Sequence, residues 1–574
     1  MSPRTIRAQA GAFEAAVRGR LDSLQAARFA ERLLAHDDAL WGDDPAHRGV
    51  AANRLGWLDS PNAMRARVAE LESFAAEVAA EGFTHAVLLG MGGSSLAPEV
   101  LRHTFGVKPG RLELTVLDNT SPAAVRAVAE ASDPATTLFV VASKSGGTIE
   151  VASFEKFFWE RAVAARGDGA GRAFVAITDP GTALAGLAAS RGYRRAFLNP
   201  PDIGGRYSAL SCFGLLPAAL IGADVGGMLE AAMDEHASLV ARGGDAVALG
   251  AALGELASRG RDKLTLVFSP SFASVGTWVE QLVAESTGKS GRGIVPVAEE
   301  TLTGPEAYGG DRVFVAVGSP ALPDASARAL DALAAAGHPV LRWDCPRIEQ
   351  LAADFLRWEV ATAAASAVLG VDPFDEPNVS EAKAATQAML KRYLDEGRLP
   401  GRTPVARDGA LAAFAPASAG APGANASAWA EGLLAQLRPG DYFAVLAYVH
   451  RTGTRHAKLE AIRHAARARA KAAGTLGYGP RFLHSTGQLH KGGPGTGVFL
   501  LLTGDEGDLP IPGERYGFGT LRAAQAAGDF EVLEARGRRV LRVDLGANVD
   551  EGLDRLAEGF ASLDRLPSRS EPSR

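Results

Sequence analysis

Short, near-continuous apolar runs ending in Gly, Ser or Asp recur along this chain, separated by longer Ala-rich amphipathic stretches. The first series is HAVLLGMG (85–92), LELTVLDNT (112–120), TLFVVASKSGG (137–147) and AFVAITDP (173–180). A second is KLTLVFSP (263–270), VFVAVGSP (313–320) and PVLRWDCP (339–346). A third is YFAVLAYV (442–449), GVFLLLTGD (497–505) and RVLRVDLG (539–546). A strand that is apolar throughout must be covered on both faces, and alternation with helices gives parallel order. The pattern predicts an α/β chain with two three-layer αβα units built on parallel-rich sheets, and a third α/β unit at the C-terminal end.

The rhythm also sets boundaries. Residues 1–80 are rich in Ala, Arg, Glu and Leu at helical spacing and read as a helical region. Its opening, MSPRTIRAQAGAFEAAVRGRL, reads as an amphipathic helix without the apolar centre of a secretory signal. The first α/β unit is expected over 81–240 and the second over 241–395. The stretch DGALAAFAPASAGAPGANASAWA (408–430) is dominated by Ala, Gly, Pro and Ser and reads as a linker. The third unit then fills 431–574, with a basic helix at 454–472, an amphipathic stretch at 519–535 and a frayed PSRSEPSR end.

Charge and cysteine usage remove several function classes. A net charge of −6 argues against a general nucleic-acid binder, which needs an excess of Lys and Arg, but allows a local basic pocket. No run approaches the ~18 consecutive apolar residues of a membrane span, so a cytoplasmic protein is expected. Cys212 and Cys345 are the only cysteines, so neither a disulfide framework nor a cysteine zinc site is expected.

Ligands of open parallel sheets bind beyond the carboxyl ends of the strands. Two loops of the first unit stand there: Gly92-Gly93-Ser94-Ser95 and Ser143-Lys144-Ser145-Gly146-Gly147-Thr148. The second has the parts of a phosphate cradle, with glycines that let amides approach, three hydroxyls, a lysine and a helix start. It lacks the G-x-x-x-x-G-K-[ST] pattern, which disfavours a nucleoside triphosphate. An ordinary hydroxyl-capped turn is the plain alternative. In DIGGRYSALS (202–211), Gly204-Gly205 permits tight geometry and Arg206 offers a fixed charge to an anion, or is a structural arginine. In QLVAESTGKSGRGIVPV (281–297), Gln281 and Glu285 share a helix face, and Glu285 is a proton-transferring base or a salt-bridging glutamate. In GYGPRFLHSTGQLHKGGPGTG (477–497), His484 and His490 are spaced poorly for a helical metal pair, so an acid–base histidine is the sharper reading and no metal is expected.

Together these residues resemble the glucose-6-phosphate isomerase family. GMGGSSLAPE (90–99), SKSGGTIE (143–150), GGRYSALS (204–211), QLVAESTGKSGRGIVP (281–296) and LGVDPFDEPNVSEAK (369–383) are similar to its motifs in type and order, over roughly 80 to 395. The C-terminal third, with LHSTGQLHKGG, resembles the isomerase half of bifunctional transaldolase/glucose-6-phosphate isomerase proteins, without room for the transaldolase barrel. The resemblance implies two sugar-isomerase-type domains and a hexose phosphate substrate. It implies that Ser143, Lys144, Ser145 and Thr148 hold the phosphate, with Gly93 and Ser94 lining the same pocket. Gly205 and Gln281 join the substrate site. Glu285 would move the proton between C1 and C2 through a cis-enediol(ate), Arg206 would stabilise its charge, and Lys383 would assist ring opening beside a histidine. No cofactor is implied, since only protons move.

Two departures stand out. The family's ring-opening histidine lies shortly after the glutamate motif, in a segment of the type H-S-x-G-Q. Between Glu285 and Lys383 this chain has only His338, in a segment that does not match, whereas His484-Ser485-Thr486-Gly487-Gln488 does. His484 is therefore expected to fill the role from the third unit. Val151 stands where the family often has Thr. Family members pair as dimers with the histidine crossing between subunits, which implies a homodimer; a histidine in the same chain would let a monomer work. Two other readings stay open: an isomerase that also accepts mannose 6-phosphate, and a non-catalytic sugar-phosphate sensor.

Overall fold

The computed structural model describes residues 5–242, 244–416 and 422–565. Its strands form three sheets. Strand β1 (Arg7–Gln9) precedes the first sheet, which contains β2 (His85–Leu89), β3 (Glu113–Leu117), β4 (Thr137–Ala142), β5 (Phe174–Thr178) and β6 (Arg195–Leu198) in the order β3-β2-β4-β5-β6. All its pairings are parallel. Every residue of the central strand β4 is buried, which explains its unbroken apolar run. Leu89 pairs with Val141, and Ala142 with Ile177, so the loops after β2, β4 and β5 leave the sheet side by side at its carboxyl edge.

The second sheet contains β7 (Lys263–Phe268), β8 (Val295–Val297), β9 (Arg312–Gly318) and β10 (Val340–Asp344), in the order β1-β10-β9-β7-β8. These four run parallel, while β1 adds antiparallel to β10. Here the structure corrects the helical reading of the chain's opening: Arg7–Gln9 is an exposed edge strand, a 3-10 turn follows at Gly11–Phe13, and the first α-helix starts at Glu14. Three exposed residues carry no apolar period, and what places them is the open edge of β10.

The third sheet contains β11 (Ala406–Asp408), β12 (Leu411–Phe414), β13 (Tyr442–Tyr448), β14 (Ala473–Tyr478), β15 (Gly497–Thr503) and β16 (Arg539–Asp544), in the order β11-β12-β16-β15-β13-β14. Its last four neighbours are parallel and its first two pairings antiparallel. The segment read as a linker, 408–430, thus contributes the buried strand Leu411–Phe414 and the start of the helix Ala426–Leu434, whose N-cap Asn425 accepts from the Ala428 amide at 2.9 Å. Residues 417–421 of it lie outside the described residues. The alanines that gave it a linker-like composition are buried at Ala412, Ala413, Ala426 and Ala430.

One apolar core runs without a break from the N-terminal helices through the first two sheets. The third unit has its own core and a further apolar cluster in which Tyr442, Phe482, Leu489 and Phe499 meet Ala284, Val295 and Val297 of the second unit. Ala284 is the neighbour of Glu285, so this packing brings the third unit against the helix Val275–Thr287 that carries the candidate base. Among the described residues, no helix is long and apolar enough to cross a membrane. No group of three or more His, Cys, Asp or Glu among them is placed to hold a metal ion.

Candidate functional site

The loop after β4 turns directly into the helix Ile149–Arg166. Gly146 has φ +66°, and a Cβ there would lie 2.9 Å from both the Leu184 amide nitrogen and the Thr182 Cβ, so the turn needs glycine. The Ser143 and Thr148 hydroxyls are 3.1 Å apart, and the Gly147 amide donates to Ser145 Oγ at 3.3 Å. Ser145 is exposed while Ser143 is buried. The Lys144 ammonium is ion-paired with Asp179 and donates to the Pro201 carbonyl at 2.8 Å. Burial raises the Asp179 pKa, and the lysine beside it opposes that rise. In this arrangement the lysine charge is already matched by a carboxylate at the loop's edge.

The loop after β2 is squeezed between two others. A Cβ on Gly93 would lie 2.1 Å from the Gly205 carbonyl oxygen, and one on Gly92 would lie 2.9 Å from His484 Cβ and 3.1 Å from Gln281 Nε2. Ser94, itself buried, ends this tight turn. The next residue, Ser95, donates to Asp118 Oδ2 at 3.1 Å, and Asp118 accepts a bidentate pair from Arg481 at 2.7 and 2.9 Å. That clamp ties the segment before His484 to the first unit.

Arg206 is 5% exposed and Glu285 6%. The guanidinium sits 3.3 Å from Glu285 Oε1 and 3.1 Å from Glu376 Oε2, and it also donates to the carbonyls of Pro373, at 2.6 Å, and Asp375, at 2.9 Å. Gln281 Nε2 bridges Glu285 Oε2, at 3.1 Å, and the His484 carbonyl, at 2.7 Å. Burial pushes the Glu285 pKa above its ordinary value; Arg206 opposes the rise and the Glu376 charge adds to it. A carboxylate of raised pKa held beside a fixed cation can take up a proton while the cation steadies an oxyanion.

The His484 ring reaches the first unit, with Nε2 at 3.0 Å from Glu150 Oε1. Burial works to raise the Glu150 pKa, but the charge and hydrogen bond of His484, its own backbone amide and the Lys383 charge hold it below its ordinary value. Thr148, Glu150, Lys383, Gln387, His484 and Gln525 line one cavity of about 60 Å³. Lys383 lies on the helix Pro377–Glu396, whose first turn is fixed by Gln488 of the histidine loop, its Oε1 accepting from the Asn378 amide at 2.9 Å. His490 is elsewhere: 2% exposed, stacked on Tyr442 and bonded to its hydroxyl at 2.9 Å.

The sequence profile of the family described as phosphoglucose isomerase matches residues 62–312. A glucose-6-phosphate isomerase of Rubrobacter xylanophilus is 30% identical over 430 residues, spanning 66% of this chain and 96% of that protein. The chain belongs to the phosphoglucose isomerase family. A second relative, a glucose-6-phosphate isomerase of Thermus thermophilus, is 32% identical over 248 residues, which span 43% of this chain and 59% of the relative. Two solved structures share the fold: a hypothetical protein from Thermus thermophilus (TM-score 0.54, 24% identity, 67% of this chain and 100% of that one), and a glucose-6-phosphate isomerase from Chlamydia trachomatis (TM-score 0.53, 18% identity, 67% and 86%).

Within this phosphoglucose isomerase family member, the site falls into two groups of contacts. Gly93, Gly205, Arg206, Gln281, Glu285 and the His484 backbone form one; Thr148, Lys383 and the His484 ring form the other. Lys144 faces Asp179 and the loop at Pro201 instead of the His484 cavity. Sequence reasoning gave no role to Glu150, Glu376, Gln387 or Gln525. Glu150 and Glu376 lie inside quoted motifs, so they were visible as residues without a partner. Gln387 lies one helical turn beyond Lys383, a spacing that could have pointed to it. For Gln525, in an amphipathic helix of the third unit, no signal existed.

Proposed function

We propose that the chain interconverts glucose 6-phosphate and fructose 6-phosphate by proton transfer through a cis-enediol(ate). The observation that carries this reading is the buried Arg206–Glu285 pair, completed by Gln281 and closed by the histidine loop. Ser143, Ser145 and Thr148 anchor the phosphate with the loop amides, and Lys144 and Ser94 complete the rim. In ring opening the anomeric O–H loses its proton, the C1–O5 bond breaks and O5 gains a proton; His484 and Lys383 handle these transfers, with Glu150 orienting the imidazole. Glu285 then removes the C2 proton and returns it to C1, the hydroxyl proton of O2 passes to O1 in the enediol(ate), and Arg206 faces the negative oxygen of the intermediate. His484, Glu285 and Glu150 all come from one chain, which supports a site that needs no second subunit.

The test is a coupled assay supplying fructose 6-phosphate and detecting glucose 6-phosphate, with a parallel arm detecting mannose 6-phosphate. Turnover to glucose 6-phosphate is expected. Binding of the sugar phosphate without turnover would overturn the proposal in favour of a sensor, and product in the second arm would widen the substrate range to both epimers.

Glu376 provides a finer check. Its charge raises the pKa of the base, and Glu285 acts in its ionised form. Glu376→Gln removes that charge and leaves Glu285 as the carboxylate paired with Arg206, so the Glu285 pKa falls and activity survives to lower pH. The acidic limb of kcat/KM should therefore move down in pH, since this parameter reports the free enzyme. A limb that stays put or moves up would contradict the arrangement.

A further inference from the structure

Glu150 Oε1 accepts two hydrogen bonds, and only one comes from the histidine. The other is from Gln525 Nε2, at 2.7 Å, on the helix Phe518–Ala535 of the third unit. The Gln525 carbonyl oxygen in turn accepts from Thr120 Oγ1 at 3.0 Å. Glu150, Gln525 and Thr120 are all buried. An amide presents an acceptor at one end and donors at the other. With the Thr120 hydroxyl on the oxygen, the NH₂ end is aimed at Glu150; the flipped amide would set two oxygens against each other beside an anion. The donors therefore converge in one sense, from Thr120 to Gln525 to Glu150.

We propose that Gln525 is a positioning residue for ring opening, held in its orientation by Thr120, and that it keeps Glu150 ionised and aimed at His484. This rests on the isomerase reading of the site and extends it to the third unit, which brings both the histidine and the group that fixes the histidine's carboxylate. A buried carboxylate is kept ionised by donors to its charged form. Without the Gln525 NH₂ the charged form loses one of the two donors on Oε1, which shifts Glu150 toward its protonated form, and a protonated Glu150 is a poorer acceptor for the ring. Gln525 does this without contributing a proton of its own.

The test compares the parent with Gln525→Met, which keeps the length and loses the donor, Gln525→Glu, and Thr120→Val. In Gln525→Glu a second carboxyl faces Glu150, so the pair shares a proton and titrates as a unit. The expected result for Gln525→Met is a roughly tenfold to hundredfold loss of kcat, the range for a hydrogen bond to a charged group. KM should hold nearly unchanged, and the acidic limb should move to higher pH, further in Gln525→Glu. Exchange between the α and β anomers of glucose 6-phosphate, followed by NMR, should slow in step with kcat. If Gln525→Met does not fold, Thr120→Val carries the same prediction with a smaller effect. A profile superimposable on that of the parent, or a loss confined to KM or to thermal stability, would overturn the proposal. An inactive parent would instead overturn the isomerase reading, and the two failures are thereby distinguished.

Discussion

Glu285→Gln is expected to lower kcat by about three to four orders of magnitude while leaving KM within a few-fold of the parent, the upper range for loss of a general base. The substitution keeps the shape of the side chain and a carbonyl for Gln281 Nε2 to reach, but an amide cannot accept the C2 proton at neutral pH. Binding should survive because the phosphate loop is held by its own hydroxyls and by Lys144 on Asp179 and the Pro201 carbonyl. Folding should survive too. Arg206 keeps Glu376 at 3.1 Å and the Pro373 and Asp375 carbonyls, so its buried charge is not left unpaired. The measurement is steady-state kinetics in both directions together with exchange of the C2 hydrogen for solvent deuterium. Exchange should fall as far as turnover. A variant that kept a tenth or more of parental activity would remove Glu285 from the role of base and move attention to another carboxylate.

The fold was legible where burial on both faces wrote itself into the residues. TLFVVA of β4 and YFAVLAY of β13 are wholly buried, and both read as strands from their apolar runs alone. Strands whose position depends on a neighbour's open edge were not legible. β1 is exposed throughout, β6 is mostly exposed, and β8 has three residues, one of them proline. The segment 408–430 misled for a related reason. Alanine is equally at home in a linker and against a close-packed sheet, so composition cannot separate the two.

The site divides along the same line. Tight turns and a glutamate beside a basic loop leave local marks that made Glu285, Arg206 and the glycine loops candidates, and the resemblance gave them their roles. Tertiary pairings leave none. Glu150 meets His484 across 334 residues, and Gln525 meets Glu150 across 375. Lys144 shows the converse: a lysine in a phosphate-type loop promises a free cation, yet Asp179, which follows β5, claims it. Only the parallel order of β4 and β5 reveals that pairing, since it sets Ala142 beside Ile177 at the edge where both loops emerge.

His484→Ala is expected to cut turnover of the cyclic sugar roughly a hundredfold or more, in the range for loss of a proton-transferring side chain. His490→Ala should leave kcat near parental and cost stability instead, about 1–3 kcal/mol for the buried Tyr442 hydroxyl left without its partner. Burial pushes the His490 pKa well below its ordinary value, which favours the neutral ring, and the Tyr442 hydroxyl already occupies its Nδ1. If only His490→Ala slowed turnover, the assignment would be reversed. The same variant also decides how the site is assembled. Here the histidine reaches Glu150 within its own chain, held by the Arg481–Asp118 clamp and by Gln488 on the Asn378 amide. Mixing inactive Glu285→Gln with inactive His484→Ala should then restore nothing, because each chain lacks part of its own site. A histidine crossing between subunits would instead recover roughly a quarter of parental activity in statistically mixed dimers, since half of the dimers would hold one intact site of two. Recovery would mean that the third unit docks on a partner in the working enzyme, and that the contacts of Ala284, Val295 and Val297 with Tyr442, Phe482 and Leu489 are made between chains.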